Sequence, residues 1–272
     1  MHEISVFWLR AAAALYAIGL FHTLQVALRK GTSIFRAALI SFAAGIVLHM
    51  VAIVENGVLT GTVFPAGFSN SVSLCAFLIG VLFLVVYWRY RIESLGVLLF
   101  PLVFVMTAVA AVKAPMQSWS SGEARNTWLA VHIVLVLLGY AALLLTAFAS
   151  VLYLVQERQL KRKKPIALLE RLPPLGTLDN LITRSLGFGF VLLTIGVVTG
   201  ATWAYIESQG QSSLSDPRMS TALLTWLFCF LMVLFRITAG WRGRKAAVMA
   251  VAVVACSAAT WALHYFVRAA GR

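Results

Sequence analysis

The sequence predicts an all-α fold: a polytopic membrane helix bundle of about eight transmembrane helices, with both termini on the outer face. Three observations predict it. Of the 272 residues, 61% are hydrophobic and 11% charged, whereas a soluble domain is nearer half apolar and a quarter charged. The apolar residues come in blocks of the length, about 20 residues, that crosses a hydrocarbon core as a helix. The blocks lack the alternation of barrel strands, and backbone in lipid must satisfy its own hydrogen bonds, which leaves helices. Almost nothing remains for a soluble domain, so residues 1–272 read as a single transmembrane domain.

The spans fall at about 5–28, 34–54, 70–88, 94–112, 127–155, 184–206, 218–236 and 246–267. Glu3 precedes the first block, which runs to Leu28 with no clear A-x-A cleavage site. It reads as a retained helix rather than a signal peptide. The second block holds His49. The third holds Cys75, and with Cys229 and Cys256 in later blocks there is no C-x-x-C pair. These cysteines read as small buried packing residues. The fifth block carries His132 and ends in the basic run QERQLKRKK. The linker 156–184 follows; its IALLERL segment is amphipathic and stops at Pro173-Pro174. The sixth block carries Gly187, Gly196 and Gly200, which suit helix contacts. The seventh follows Asp216-Pro217, and the eighth holds His264.

Eight spans place the connecting segments on two sides. Sixteen of the 22 Lys and Arg residues fall on the side of 29–36, 88–93, 156–184 and 236–245. The positive-inside rule makes that side cytoplasmic. The acids divide almost evenly, so the net charge of +13 is a property of the inner face. The run at 156–164 lies directly after a span, which favours anionic headgroups over nucleic acid. The linker could alternatively dock a partner.

Polar rings inside hydrocarbon are costly and tend to be functional or paired. His22, His49, His132 and His264 all lie in spans. By the expected topology His49, His132 and His264 share one layer, roughly 4–9 Å below the outer boundary at 1.5 Å per residue. His22 lies toward the inner side. A lone histidine there can simply bond a carbonyl or water. Three on separate helices at one depth point instead to a ligand for neutral imidazole: zinc, copper, iron or haem. Zinc usually brings a carboxylate or cysteine as well. Haem needs only one or two axial ligands, an apolar slot and cations for its propionates. Arg125, seven residues before His132, and Lys113 and Arg218 are available on the outer side. Trp119, Trp128, Trp203 and Trp261 lie near the same boundary, where an interfacial aromatic belt is the ordinary reading.

The order of these strings resembles the cytochrome c assembly family, its CcsA-type haem-handling proteins and their HemX-like relatives. GIVLHMVAIVENG and FSNSVSLCAF (45–57 and 68–77) resemble the family's second span and following polar turn. WLAVHIVLVLLGYAALLLTAFASVLYLVQERQLKRK (128–163) resembles the span that opens on a haem-ligand histidine. LPPLGTLDNLITRSLGFGFVLLTIGVVTGATWA (172–204), LLTWLFCFLMVLFRITAGWRGRKAA (223–247) and ALHYF (262–266) follow in order. The resemblance implies that His132 and His264 are axial ligands of haem b. It implies that His49 serves an inner station. Trp203, Asp216, Pro217 and Trp226 match a tryptophan-rich outer segment, but the intervening tryptophans of the family are missing and the loop at about 207–217 is short. Both departures pull toward the HemX-like branch.

The expected function is therefore a haem-binding or haem-translocating membrane protein of cytochrome c biogenesis, in a bacterial inner (cytoplasmic) membrane. It would hold haem near the outer face by two histidines, His132 and His264, with Arg125, Lys113 or Arg218 on the propionates. Its partners would be membrane lipid and an apocytochrome-binding membrane protein or a haem-synthesis enzyme, with no nucleic acid. No nucleophile beside a base, phosphate loop or cofactor fingerprint marks an enzyme acting alone. The alternative is a HemX-like regulator or scaffold that acts through 156–184 without stable haem. A solute transporter fits less well, because no internal repeat or matched pair of broken helices is visible.

Overall fold

The computed structural model describes residues 2–28, 32–60, 68–112, 123–162, 173–207 and 217–270. Among them are eight helices and no strand. They are α1 (His2–Leu28), α2 (Thr32–Thr60), α3 (Phe68–Tyr90), α4 (Ser94–Val112), α5 (Glu123–Arg162), α6 (Leu175–Glu207), α7 (Pro217–Thr238) and α8 (Arg244–Ala270). Over the described residues α1 to α7 are long and apolar enough to cross a membrane. The eighth helix, 27 residues long, has the length of a span. The chain is thus a multi-pass membrane helix protein.

Helix ends differ from the apolar blocks, and the reasons are local. The second helix continues through ENGVLT to Thr60. The fifth runs past its apolar block to Arg162, where Lys161 pairs with Glu157 one turn earlier at 2.7 Å, a spacing that supports a helix in water. The sixth begins at Leu175, nine residues before its expected span. The carbonyl of Pro174 accepts the N–H groups of Thr177 and Leu178, and proline cannot extend the helix backward. The amphipathic IALLERL segment lies outside the described residues.

The chain divides into two compact units, with the break inside α5 between Ile133 and Val134. In the first unit α1 packs along α2 and α4, and α3 packs on α4. Its centre is aromatic. Phe42 and Phe100 stack at 4.1 Å and 7°, and Phe83 meets both edge-on. Tyr16 leans on Phe42 at 5.1 Å. Lipid tails are as apolar as these rings, so the packing is driven by close contact rather than by exclusion of water. Gly45 allows that contact: a Cβ there would lie 2.6 Å from the Tyr16 ring.

The second unit comprises α5 from Val134, α6, α7 and α8. Leu143, Leu186, Leu193, Cys229, Met232, Ala250 and Val253 form its buried cluster. Gly196 meets Val136, whereas Gly187 faces open space. Side-chain bonds cross between helices, among them Thr146 with Ser185 at 2.8 Å and the Trp226 indole N–H to Thr194 Oγ1 at 3.0 Å. Trp226→Phe removes the second bond while an aromatic ring stays stacked on Phe230. Thermal unfolding in detergent should show a loss of about 0.6 kcal/mol, with about 1.7 as the ceiling for such bonds in membranes. At one end of this unit Arg236 donates to Asp179 Oδ1 at 2.9 Å, to the Asp179 carbonyl at 3.1 Å and to Thr183 Oγ1. The Gly243 N–H also reaches Asp179 Oδ1, at 3.2 Å. Gly243 has φ +63°, and a Cβ there would come within 2.7 Å of the Tyr153 hydroxyl, so only glycine suits the turn.

Most buried hydroxyls bond within their own helix. Thr23, Thr107 and Ser150 each donate to the carbonyl four residues back, at 2.7–2.8 Å, and of the facing pair Thr146 and Ser185 one donates to its own such carbonyl while the other donates to its neighbour. Cys75 and Cys229 are buried thiols, as expected of packing residues; Cys256 is exposed instead.

Candidate functional site

The histidines stand in different surroundings. His49 is fully buried on α2, with no exposed surface. Its Nδ1 lies 3.2 Å from the Tyr16 hydroxyl of α1 and its Nε2 lies 2.8 Å from the Ser73 hydroxyl of α3. Phe77 closes the side of the ring edge-on at 5.7 Å. One imidazole thus ties three helices together through both nitrogens. The apolar helical stretch of α2 runs from Phe35 to Leu59, and His49 lies ten residues before its end.

Continuation of α2 also brings Glu55 into the helix, where one carboxylate oxygen is buried with no hydrogen-bond partner among the described residues. An acid was expected only beyond the span. His22, on α1, has a buried Nδ1 in the same condition.

His132 is partly exposed, five residues into the apolar stretch that starts at Thr127. Trp128, one turn earlier on α5, is 42% exposed. Arg125 lies seven residues before His132 on the same helix, a spacing that puts both on one face; its side chain lies outside the described residues. Trp203 is partly buried near the end of α6. Arg218 begins α7 and His264 lies on α8, but the side chains of both are outside the described residues, as are Asp216 and Lys113 altogether. His132 belongs to the first unit and α8 to the second.

An axial ligand to haem iron needs an unprotonated ring nitrogen that can be approached. His132 is partly exposed. The ring of His49, bonded at both nitrogens and wholly enclosed, does not meet that requirement. Sequence reasoning missed Tyr16 and Ser73. The signal for Tyr16 was a lone phenol in an apolar block, and for Ser73 the polar run FSNS just before it.

The chain matches the model of the family described as cytochrome C assembly protein over residues 8–268. It is similar to the cytochrome c biogenesis protein CcsA of Guillardia theta, 31% identical over 63% of this chain and 64% of that protein. The CcsA protein of Microcystis aeruginosa is 30% identical over 61% of this chain and 65% of its own length. That of Chlamydomonas reinhardtii is 32% identical over 58% and 44%. The chain therefore spans less than two thirds of these relatives' length. No solved structure matches it.

Proposed function

The chain belongs to the cytochrome c assembly protein family, and on that premise we propose that it holds haem b for cytochrome c biogenesis, with His132 and His264 as the two axial ligands. The observation that supports the reading most is the contrast between histidines: His132 is partly exposed near the start of the apolar stretch of α5, while His49 is enclosed. The match to the family covers both α5 and α8.

In this proposal haem is cargo, the iron porphyrin that c-type cytochromes carry. The protein's own groups bind and orient it. His132 and His264 present neutral imidazole nitrogens. Arg125, with Lys113 or Arg218, pairs with the propionates. Trp203 offers a flat apolar face and Asp216 a hydrogen-bond acceptor at the outer turn. Thioether formation needs thiols, which a membrane partner carrying the apocytochrome supplies. The membrane is the bacterial cytoplasmic one, with the basic segments inside.

The test is the visible absorption spectrum of the detergent-purified protein, oxidised and reduced. Wild type should show a Soret band and sharp reduced bands. His132→Ala and His264→Ala should each lose or shift them. A colourless wild type that also refuses added haem removes the proposal.

A further inference from the structure

We propose that Tyr16 and Ser73 close His49 to iron, so that this histidine is a structural pin of the first unit and not a haem station. The inference starts from a disagreement: the family resemblance implies a haem role for His49, and the packing does not fit one.

The hydrogen-bond accounting is specific. A neutral imidazole has one N–H and one bare nitrogen. Both face hydroxyl groups, Tyr16 at Nδ1 and Ser73 at Nε2. In either tautomer the ring N–H donates to one hydroxyl and the bare nitrogen accepts the proton of the other. No lone pair is left for a metal.

Packing holds the arrangement. The Tyr16 ring is fully buried between Phe42 and the backbone of α2 at Gly45. Phe77 covers the edge of His49. A porphyrin on His49 would require α1 or α3 to leave. A buried polar group bonded across three helices is instead what fixes their rotation and register in lipid, where apolar contact alone discriminates little. Tyr16 and Ser73 are positioning residues: they act through His49. Haem then reaches His132 without a ligand in the core of the first unit.

The test uses the full chain in detergent micelles, with ferric protoporphyrin IX as probe. His49→Gln keeps an amide that can still bridge two hydroxyls; His49→Phe cannot. Haem per protein and the reduced absorption bands should stay at the wild-type level in His49→Gln, Tyr16→Phe and Ser73→Ala. The unfolding midpoint should fall in Tyr16→Phe and Ser73→Ala and be restored toward wild type by Ser73→Thr. Nitrogen-15 NMR of labelled histidine, on haem-free protein, should show His49 neutral with its bare nitrogen hydrogen-bonded. Ser73→Ala and Tyr16→Phe should each shift that signal. Loss of haem or displaced bands in His49→Gln overturns the proposal, as does a His49 signal that neither variant shifts. The haem-free signals and midpoints judge the pin even if wild type binds no haem, an outcome that would sink only the reading built on His132.

Discussion

Asp179→Ala should destabilise the second unit by about 3 kcal/mol, the lower end of the cost of breaking a buried ion pair by removing one partner. The lower end applies because Asp179 keeps 19% of its side chain exposed while Arg236 keeps only 8%. The loss has three parts. Arg236 would retain a buried charge with no counter-ion. Its Nη1 already has no hydrogen-bond partner among the described residues, so the guanidinium has little in reserve. The Gly243 N–H would lose its acceptor at the turn between α7 and α8. Asp179→Asn should cost less, since an amide oxygen can still accept from Arg236 and Gly243. The double variant Asp179→Leu with Arg236→Met should recover much of the stability, because replacing both members of a buried pair is far cheaper than orphaning one. Thermal or denaturant unfolding of the two singles and the double, taken as a cycle, checks this. A double variant as unstable as the sum of its singles would show that the two residues act separately.

The second large effect is expected at Gly45→Ala. The new methyl would arrive 2.6 and 2.8 Å from two carbons of the Tyr16 ring. That ring has no exposed surface and is held by Phe42 and His49. It cannot swing aside as the end of a flexible chain would. Overpacking of this kind costs about 1–3 kcal/mol, and displacing the phenol would also unmake its bond to His49. Gly187→Ala is the control. Nothing lies within 4 Å of a Cβ there, and exchanging a mid-helix glycine for alanine should stabilise by about 0.4–1 kcal/mol. Opposite shifts in the unfolding midpoint are therefore expected from the same chemical change. Equal shifts would show that helix propensity, not the Tyr16 contact, governs position 45.

Composition and block length were enough to read the helices, because each block carries its own hydrogen bonds and its own apolar surface. The ends of α2, α5 and α6 were not readable from apolarity. They follow from ENGVLT continuing in helical form, from the Glu157–Lys161 pair and from the carbonyl of Pro174. Of the candidate site the sequence supplied residue types and helix positions, such as His132 near the start of the apolar stretch of α5. The surroundings of His49 were not legible. Its partners lie 33 and 24 residues away, and which of them it meets depends on how three helices rotate about their axes. The pairing of Arg236 with Asp179, 57 residues apart, was hidden for the same reason. Charge counting had placed both on the inner side but could not match them.

The hydroxyls that donate to the carbonyl four residues back bear on biosynthesis. A helix carrying Thr107, or Thr146 and Ser150, enters the bilayer with those groups already satisfied, so it can leave the insertion machinery alone. His49, Asp179 and Arg236 have no such internal remedy. The second helix is complete only once the first and third flank it, and α6 and α7 must find each other to neutralise their charges. Insertion can therefore proceed one helix at a time, but maturation proceeds in groups: α1 to α3 as one and α6 with α7 and the turn at Gly243 as another. A chain arrested before its third helix emerges would leave His49 without its Ser73 partner.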